Sequence, residues 1–218
     1  MLLSNSILLC GTDGSLTNGC VVANGTVQVQ SLASVSIRGI SFHSSSLQHT
    51  GDGTLGVQDC VFTGSFGGPV VAAVGTTQTT LTDCSFETMD YNIASFGASN
   101  DTMTAGALIL ASDGVLELER VKIMGTVNSS VESTLDLIRA ENAVVTITNC
   151  EFSSSSAGSL LVGKGASTIV MSGTTFEGNN FANGLSFEGT VDVTIDDFVV
   201  TGNNFSTVRH RSIASYPD

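Results

Sequence analysis

Three six-residue segments share one pattern: Val57-Gln-Asp-Cys-Val-Phe62, Leu81-Thr-Asp-Cys-Ser-Phe86 and Ile147-Thr-Asn-Cys-Glu-Phe152. Each opens on an apolar residue and carries Asp or Asn two later, Cys three later and Phe five later. The same register takes in Ile37 with Phe42, Leu118 with Ile123, Met171 with Phe176, and Ile195 with Val200. With the opening residue as position 0, position −2 holds Val35, Leu55, Thr79, Leu116, Val145, Ile169 and Val193. Position −10 holds Val27, Leu47, Val71, Leu108, Leu137, Leu161 and Leu185, apolar in every unit. A chain built this way folds as stacked copies of one small unit that cannot bury its apolar face alone. A weaker first unit puts Thr17 at position 0, with Cys20, Val22 and, ten earlier, Ile7.

Within a unit the apolar period is two, then breaks, then resumes, which reads as strand, bend, strand. The break at +2 holds Gly19, Gly39, Asp59, Asp83, Arg120, Asn149, Gly173 and Asp197. All but Arg120 are residue types that tolerate a left-handed backbone. A second turn lies between −7 and −3, marked by Asp13-Gly14, Asp52-Gly53, Asp113-Gly114 and Lys164-Gly165. The expected fold is all-β: a right-handed parallel β-helix of about eight coils of three short strands, at ~4.8 Å per rung a rod of ~40 Å. It forms one domain over residues 1–218, with a repeat core of about 7–200 and an irregular C-terminal tail at 201–218.

The inward position +3 then lines up Cys20, Ile40, Cys60, Cys84, Val121, Cys150, Thr174 and Phe198, so the cysteines are expected to be buried core residues. Cys60 and Cys84 alone occupy adjacent coils, as stacked free thiols or as a disulfide. Only 12% of residues are charged, against roughly 25% in ordinary domains, because inward ladders are apolar and outer strands favour Thr and Ser. A net charge of −13 with seven basic residues argues against nucleic acid as a partner. The stretch Met1 to Cys10 lacks a cationic leader region and is broken by Asn5 and Ser6, so neither a signal peptide nor a membrane span is read there.

The bend residues, the cysteine and phenylalanine ladders and the coil length resemble the β-helices of the pectin-lyase-like superfamily. Phe176-Glu-Gly-Asn-Asn180 and Val200-Thr-Gly-Asn-Asn204 are also similar to the repeats of polymorphic outer-membrane and autotransporter passenger proteins. The superfamily resemblance implies the fold and leaves the activity open, since lyases, hydrolases, epimerases, adhesins and tailspikes share it. The Gly-His-Gly and Arg-x-Lys motifs of its pectinolytic hydrolases are absent, and lysine occurs only at Lys122 and Lys164.

Length varies only between +5 of one unit and −10 of the next. The longest such segments, Glu87–Ala107 and Met124–Asp136, leave neighbouring coils and share one corner of the rod. That corner is the expected binding region, with Asp90, Tyr91, Phe96, Asn100 and Asp101 as the residues able to contact a ligand. Four glycosylation sequons start at Asn24, Asn100, Asn128 and Asn204. His49 and Arg139 both fall at position −8, read as hydrogen-bonded core residues; Asp196 and Asp197 are the only adjacent acids. No catalytic set and no metal site is assigned. No cofactor is expected, calcium at the acidic bends Asp59 and Asp83 being the one exception considered, with Arg120 placed to pair with Asp83. The function expected is a non-catalytic extracellular or cell-surface module for adhesion, contact with a polysaccharide or cell-surface glycan, or rigid spacing. The alternative is a carbohydrate-active lyase, hydrolase or epimerase. Open solenoid ends further suggest a fragment of a longer chain, or end-to-end stacking with another β-helix segment.

Overall fold

Alternating inward and outward side chains force each unit to share its apolar face with the units above and below. The computed structural model describes residues 2–3, 7–9, 20–30, 34–92, 106–128 and 135–211. Among them every element is a β-strand and every strand pairing is parallel. The chain winds as a parallel β-helix with three faces. The central face stacks Ile7–Leu9, Ser34–Arg38, Thr54–Gln58, Gln78–Thr82, Val115–Glu119, Val144–Thr148 and the first halves of Thr168–Glu177 and Asp192–Thr201. On it Leu8, Ile37, Val57, Leu81, Leu118, Ile147, Met171 and Ile195 stand directly over one another.

The second face carries the aromatic ladder. Phe42 stacks on Phe62 at 4.7 Å between ring centroids and Phe62 on Phe86 at 4.6 Å, the spacing that parallel rungs impose. Phe152 on Phe176 resumes the stack at 5.2 Å, above a rung where Ile123 takes the position. The third face stacks Leu2–Leu3, Thr26–Val29, Ser46–Thr50, Val71–Val74, Ala107–Ser112, Asp136–Glu141, Ser156–Lys164, Asn180–Glu188 and Asn204–Arg211. One continuous core runs through the rod from Val27 to Phe181.

The structure moves the register in three places. First, Leu8 rather than Thr17 lies opposite Ile37, and Leu2–Leu3 pairs with Gln28–Val29. The segment between the central strand and Cys20 is longer in this unit, so counting back from Cys20 at the usual spacing passes over the true strand; Thr17 lies outside the described residues. Second, the ladder continues beyond residue 201, because Asn204–Arg211 pairs with Asn180–Glu188. Third, Val71 faces Ile109 rather than Leu108, and Leu161 faces Ile138 rather than Leu137. In those two coils the left-handed turn residue is Asp113 or Asn142, five before position 0, whereas Gly75, Gly165 and Gly189 stand six before it. One residue fewer in the turn shifts the upstream strand by one. Leu108 and Leu137 remain fully buried at the corner beside Val70 and Leu160.

Every described bend residue at +2 has positive φ, Arg120 included at 53°. An Arg tolerates this because the ladder holds the strands on either side and its guanidinium is bound to Asp83 by two hydrogen bonds, of 2.7 and 3.0 Å. A second left-handed column sits at +7, Ser44, Gly64, Thr88, Gly125, Ser154, Gly178 and Gly202, and Asn24 joins it through the pairing of Ala23 with His43.

Both bends are closed by the same device, which accounts for the cysteines. Where the residue after a bend is Cys, Ser, Thr or Asn it can place its donor within reach of a carbonyl two residues back, on the coil below, or both, whereas Ile40 and Val121 fill the same slot as apolar core residues. Cys60 donates to Gln58 O at 3.3 Å, Cys84 to Thr82 O and Val57 O at 3.4 and 3.5 Å, and Cys150 to Thr148 O and Leu118 O at 3.4 and 3.5 Å. Thr174 plays the same part through its hydroxyl, on Ser172 O at 3.0 Å. After the second bend Ser45 donates to His43 O and Val22 O, and Asn179 to Phe152 O at 2.7 Å. A small side chain with one donor fits this slot, since an unmatched buried carbonyl is costly. Cys60, Cys84 and Cys150 are buried free thiols. Burial pushes the Cys150 thiol up to about 11, and the hydrogen bond to Cys60 together with burial holds Cys84 well above its ordinary value. Cys20 departs from the expectation: it is exposed and disulfide-bonded.

Candidate functional site

The corner predicted to bind contains more strand than its sequence suggests. Glu87 to Tyr91 continues the strand Ser85–Tyr91, pairing across a bulge with Gly64, Ser65 and Phe66. Tyr91 is fully buried, its ring 5.2 Å from that of Phe66, so it belongs to the core and not to a binding surface. Asp90 is half-buried on the outer side of the same strand. Phe96, Asn100 and Asp101 lie outside the described residues.

The densest arrangement of polar chemistry in this region is on the outer side of the third face. Because the turn at Asn142 is one residue short, Arg139 leaves the inward column of His49 and joins the outward ladder Gln48, Ala72, Leu110, Arg139, Val162 and Ser186. Its neighbour along the strand is Asp136, laddered to Ser159 and Asn183; beyond it Glu141 is laddered to Lys164 and Glu188. Arg139 donates to Asp136 through Nε at 2.9 Å and Nη2 at 2.5 Å, and its Nη1 lies 3.9 Å from Glu141. Although on the outside of the rod, the Asp136 and Arg139 side chains are only 6% and 12% exposed. Burial raises the Asp136 carboxyl above its usual range, opposed by Arg139, the Ser159 hydroxyl and Lys164. Below this group Ala72, Ala107 and Leu110 form a small apolar cluster of their own outside the main core.

This cluster offers a desolvated carboxylate and a guanidinium with unused donors, set among Ser159, Asn183 and Lys164. Such a set hydrogen-bonds hydroxyl-rich or anionic ligands. Each charge is already matched by the other, so neither is poised as a free general acid or base. Sequence reasoning named Arg139 but placed it in the core; the missing signal was the shortened turn.

The remaining candidates fall elsewhere. His49 is fully buried, its Nδ1 2.9 Å from the Thr79 hydroxyl, and burial lowers its pKa; it is a core residue, as expected. At the bends Asp59 pairs with Arg38 at 2.9 Å and Asp83 with Arg120 at 2.7 Å. The two stacked carboxylates thus turn to guanidiniums on opposite sides. Among the described residues no three His, Cys, Asp or Glu side chains are grouped to hold a metal ion. Of the sequons, Asn24 stands exposed at the second bend, Asn128 pairs through its backbone with Tyr91, and Asn204 is exposed and donates to Asn180 Oδ1 at 3.0 Å; Asn100 is not described. No helix among the described residues is long and apolar enough to cross a membrane. No known protein-family model matches the chain, and no curated protein matches it as a relative.

Proposed function

We propose that the chain is a non-catalytic β-helical module that contacts a polysaccharide or cell-surface glycan through the outer side of its third face. The observation that carries this reading is the group of largely buried Asp136, Arg139 and Ser159 with half-buried Asn183 and Lys164 beside them, fixed on ladder strands rather than on loops. Sugar recognition needs fixed donors and acceptors side by side, and a strand ladder supplies them at a regular spacing of ~4.8 Å. The oxidised Cys20 favours an extracellular or cell-surface location, where disulfides persist. Exposed sequons at Asn24 and Asn204 agree with it. Likeness to the pectin-lyase-like and passenger-protein β-helices rests on the phenylalanine ladder and on the stacked asparagines Asn179, buried, and Asn203, half-buried.

A second reading, a carbohydrate-active lyase, hydrolase or epimerase, is favoured by one feature: a carboxylate with a raised pKa beside an Arg. A glycan array run alongside turnover assays on pectin, alginate and related polymers separates the two. Retention of a glycan without depolymerisation, lost in Arg139→Ala, supports the binding module. Product formation abolished by Asp136→Asn establishes the enzyme instead.

A further inference from the structure

Two of the buried thiols lie directly over one another, and the third has no such neighbour. Val61 pairs with Ser85 and the Ser85 N–H donates to Cys60 O at 2.9 Å, so Cys60 and Cys84 hold the same inward position on successive rungs. In that column Ile40 lies below Cys60 and Val121 above Cys84, whereas Cys150 lies between Val121 and Thr174. Cys60 and Cys84 are fully buried, yet each sits one residue inside a bend, at Asp59 and Asp83, whose side chains are 41% and 37% exposed. A hydrogen bond between the two thiols lowers Cys60 below its ordinary value and raises Cys84.

The spacing suits a covalent link. Paired strands put the two Cα atoms ~4.8 Å apart, inside the range of about 4.4–6.8 Å that a disulfide spans. Losing the S–H donors strands little, because the nearer carbonyls they serve keep a main-chain donor. Gln58 O accepts from the Gly39 N–H at 3.1 Å, and Thr82 O from the Asp59 N–H at 3.2 Å. The link also closes one full coil into a ring, which constrains the unfolded chain.

We propose that Cys60 and Cys84 form a redox site: a dithiol that a small oxidant of the hydroperoxide class converts into a disulfide stapling two rungs, with the register unchanged. The Cys60 sulfur attacks one peroxide oxygen and the O–O bond breaks, giving a sulfenic acid and water. The Cys84 sulfur then attacks the Cys60 sulfur. The S–S bond forms, the S–O bond breaks, and the hydroxyl leaves with the Cys84 proton as a second water. Two thiols and one peroxide thus give one disulfide and two waters. Burial makes the reaction slow, since the oxidant enters only when a bend opens locally. Burial also fixes the product: among the described residues Cys84 is the one thiol on a rung next to Cys60, and Cys150 has none on either side. The site does not rest on the glycan-contact reading.

The test holds the full chain in hydrogen peroxide for hours, blocks the remaining thiols in denaturant, cleaves at aspartate and weighs the peptides by mass spectrometry. The expected result is a linked Cys60–Cys84 pair as the main cysteine product, with Cys150 recovered as a blocked thiol. The Tm of the oxidised chain lies about 5–10 °C above that of Cys84→Ser treated alike. Serine keeps a donor in the slot, as Ser45 does at the second bend, so Cys60→Ser and Cys84→Ser fold but lose both the linked pair and the rise, while Cys150→Ser keeps both. Recovery of Cys60 and Cys84 as thiols overturns the proposal. So does preferential oxidation of Cys150, passage of Cys60 to a sulfinic acid with Cys84 left free, or a linked product with no gain in Tm.

Discussion

Replacing Asn179 by Ala tests whether the rungs are held by side chains that close the bends. Asn179 is 1% exposed and its amide makes three bonds: Nδ2 donates to Phe152 O at 2.7 Å and to Asn203 Oδ1 at 2.8 Å, and Oδ1 accepts from the Ser155 N–H at 3.0 Å. Alanine removes all three and strands the Phe152 carbonyl and the Ser155 amide in a buried slot. Each stranded group costs about 1–3 kcal/mol, so the change should cost about 3–5 kcal/mol. Asn203 donates to Phe176 O and Thr201 O and accepts from the Asn179 N–H and Nδ2, but stands half-buried one rung further on. Water can replace part of what Asn203→Ala removes, and about 1–2 kcal/mol is expected there. Guanidinium denaturation of both variants measures the difference. Amide exchange localises it, because a solenoid transmits a defect mainly to neighbouring rungs. A loss under 1 kcal/mol in Asn179→Ala, or equal losses in the two variants, refutes the reasoning.

Three further expectations follow from particular side chains. Ser154 is exposed at φ 51° with no side-chain partner, so Ser154→Gly should raise stability by about 0.5–1 kcal/mol, seen as a higher Tm, despite the entropy glycine adds to the unfolded chain. Arg120 holds the Asp83 carboxyl below its usual range, a stabilisation present above the ordinary carboxylate pKa and lost as pH falls through the depressed one. Arg120→Ala should move the Asp83 titration upward when followed by NMR. His49 has the same sign of pH dependence for a different reason: burial lowers its pKa below that of a free imidazole, so as pH falls through the ordinary histidine range the unfolded chain takes the proton first and stability drains away. Thr79→Val should cost about 1–3 kcal/mol by stranding the imidazole. The pair His49→Val, Thr79→Val should recover much of that and flatten the pH dependence near neutrality.

Much of the fold is legible in the sequence because its strongest signals are repeated side-chain choices. Ile37, Val57, Leu81, Leu118, Ile147, Met171 and Ile195 announce the central ladder, and Phe42, Phe62 and Phe86 the aromatic one. What is lost depends on turn length, which carries no hydrophobic signature. One residue fewer before Leu118 and Ile147 moves Arg139 from the core to the outer face, and with it the pairing to Asp136. The second bend escapes notice because Ser44, Thr88 and Ser154 do not advertise a left-handed backbone as Gly or Asp does, and tertiary pairing imposes it. Arg120 is the one bend residue whose type does not favour a left-handed backbone, and its two bonds to Asp83 show how such a residue is held there. The burial of Tyr91 is hidden because an insertion carries no sequence mark of how far its first strand extends, and here the strand runs on to Tyr91.

All these assignments depend on one repeat advancing the rod by one rung. Ser36, Thr146 and Thr194 share one outward column, with Thr146 four rungs and Thr194 six rungs beyond Ser36. Spin labels on cysteines introduced at Ser36 and Thr146, and at Ser36 and Thr194, allow the distances to be read by pulsed electron resonance; Cys60, Cys84 and Cys150 are buried from the label. The β-helix predicts about 19 Å for the first pair and about 29 Å for the second, in proportion to rung number. Distances that fail to grow with rung number, or a second pair closer than the first, contradict the stacked register.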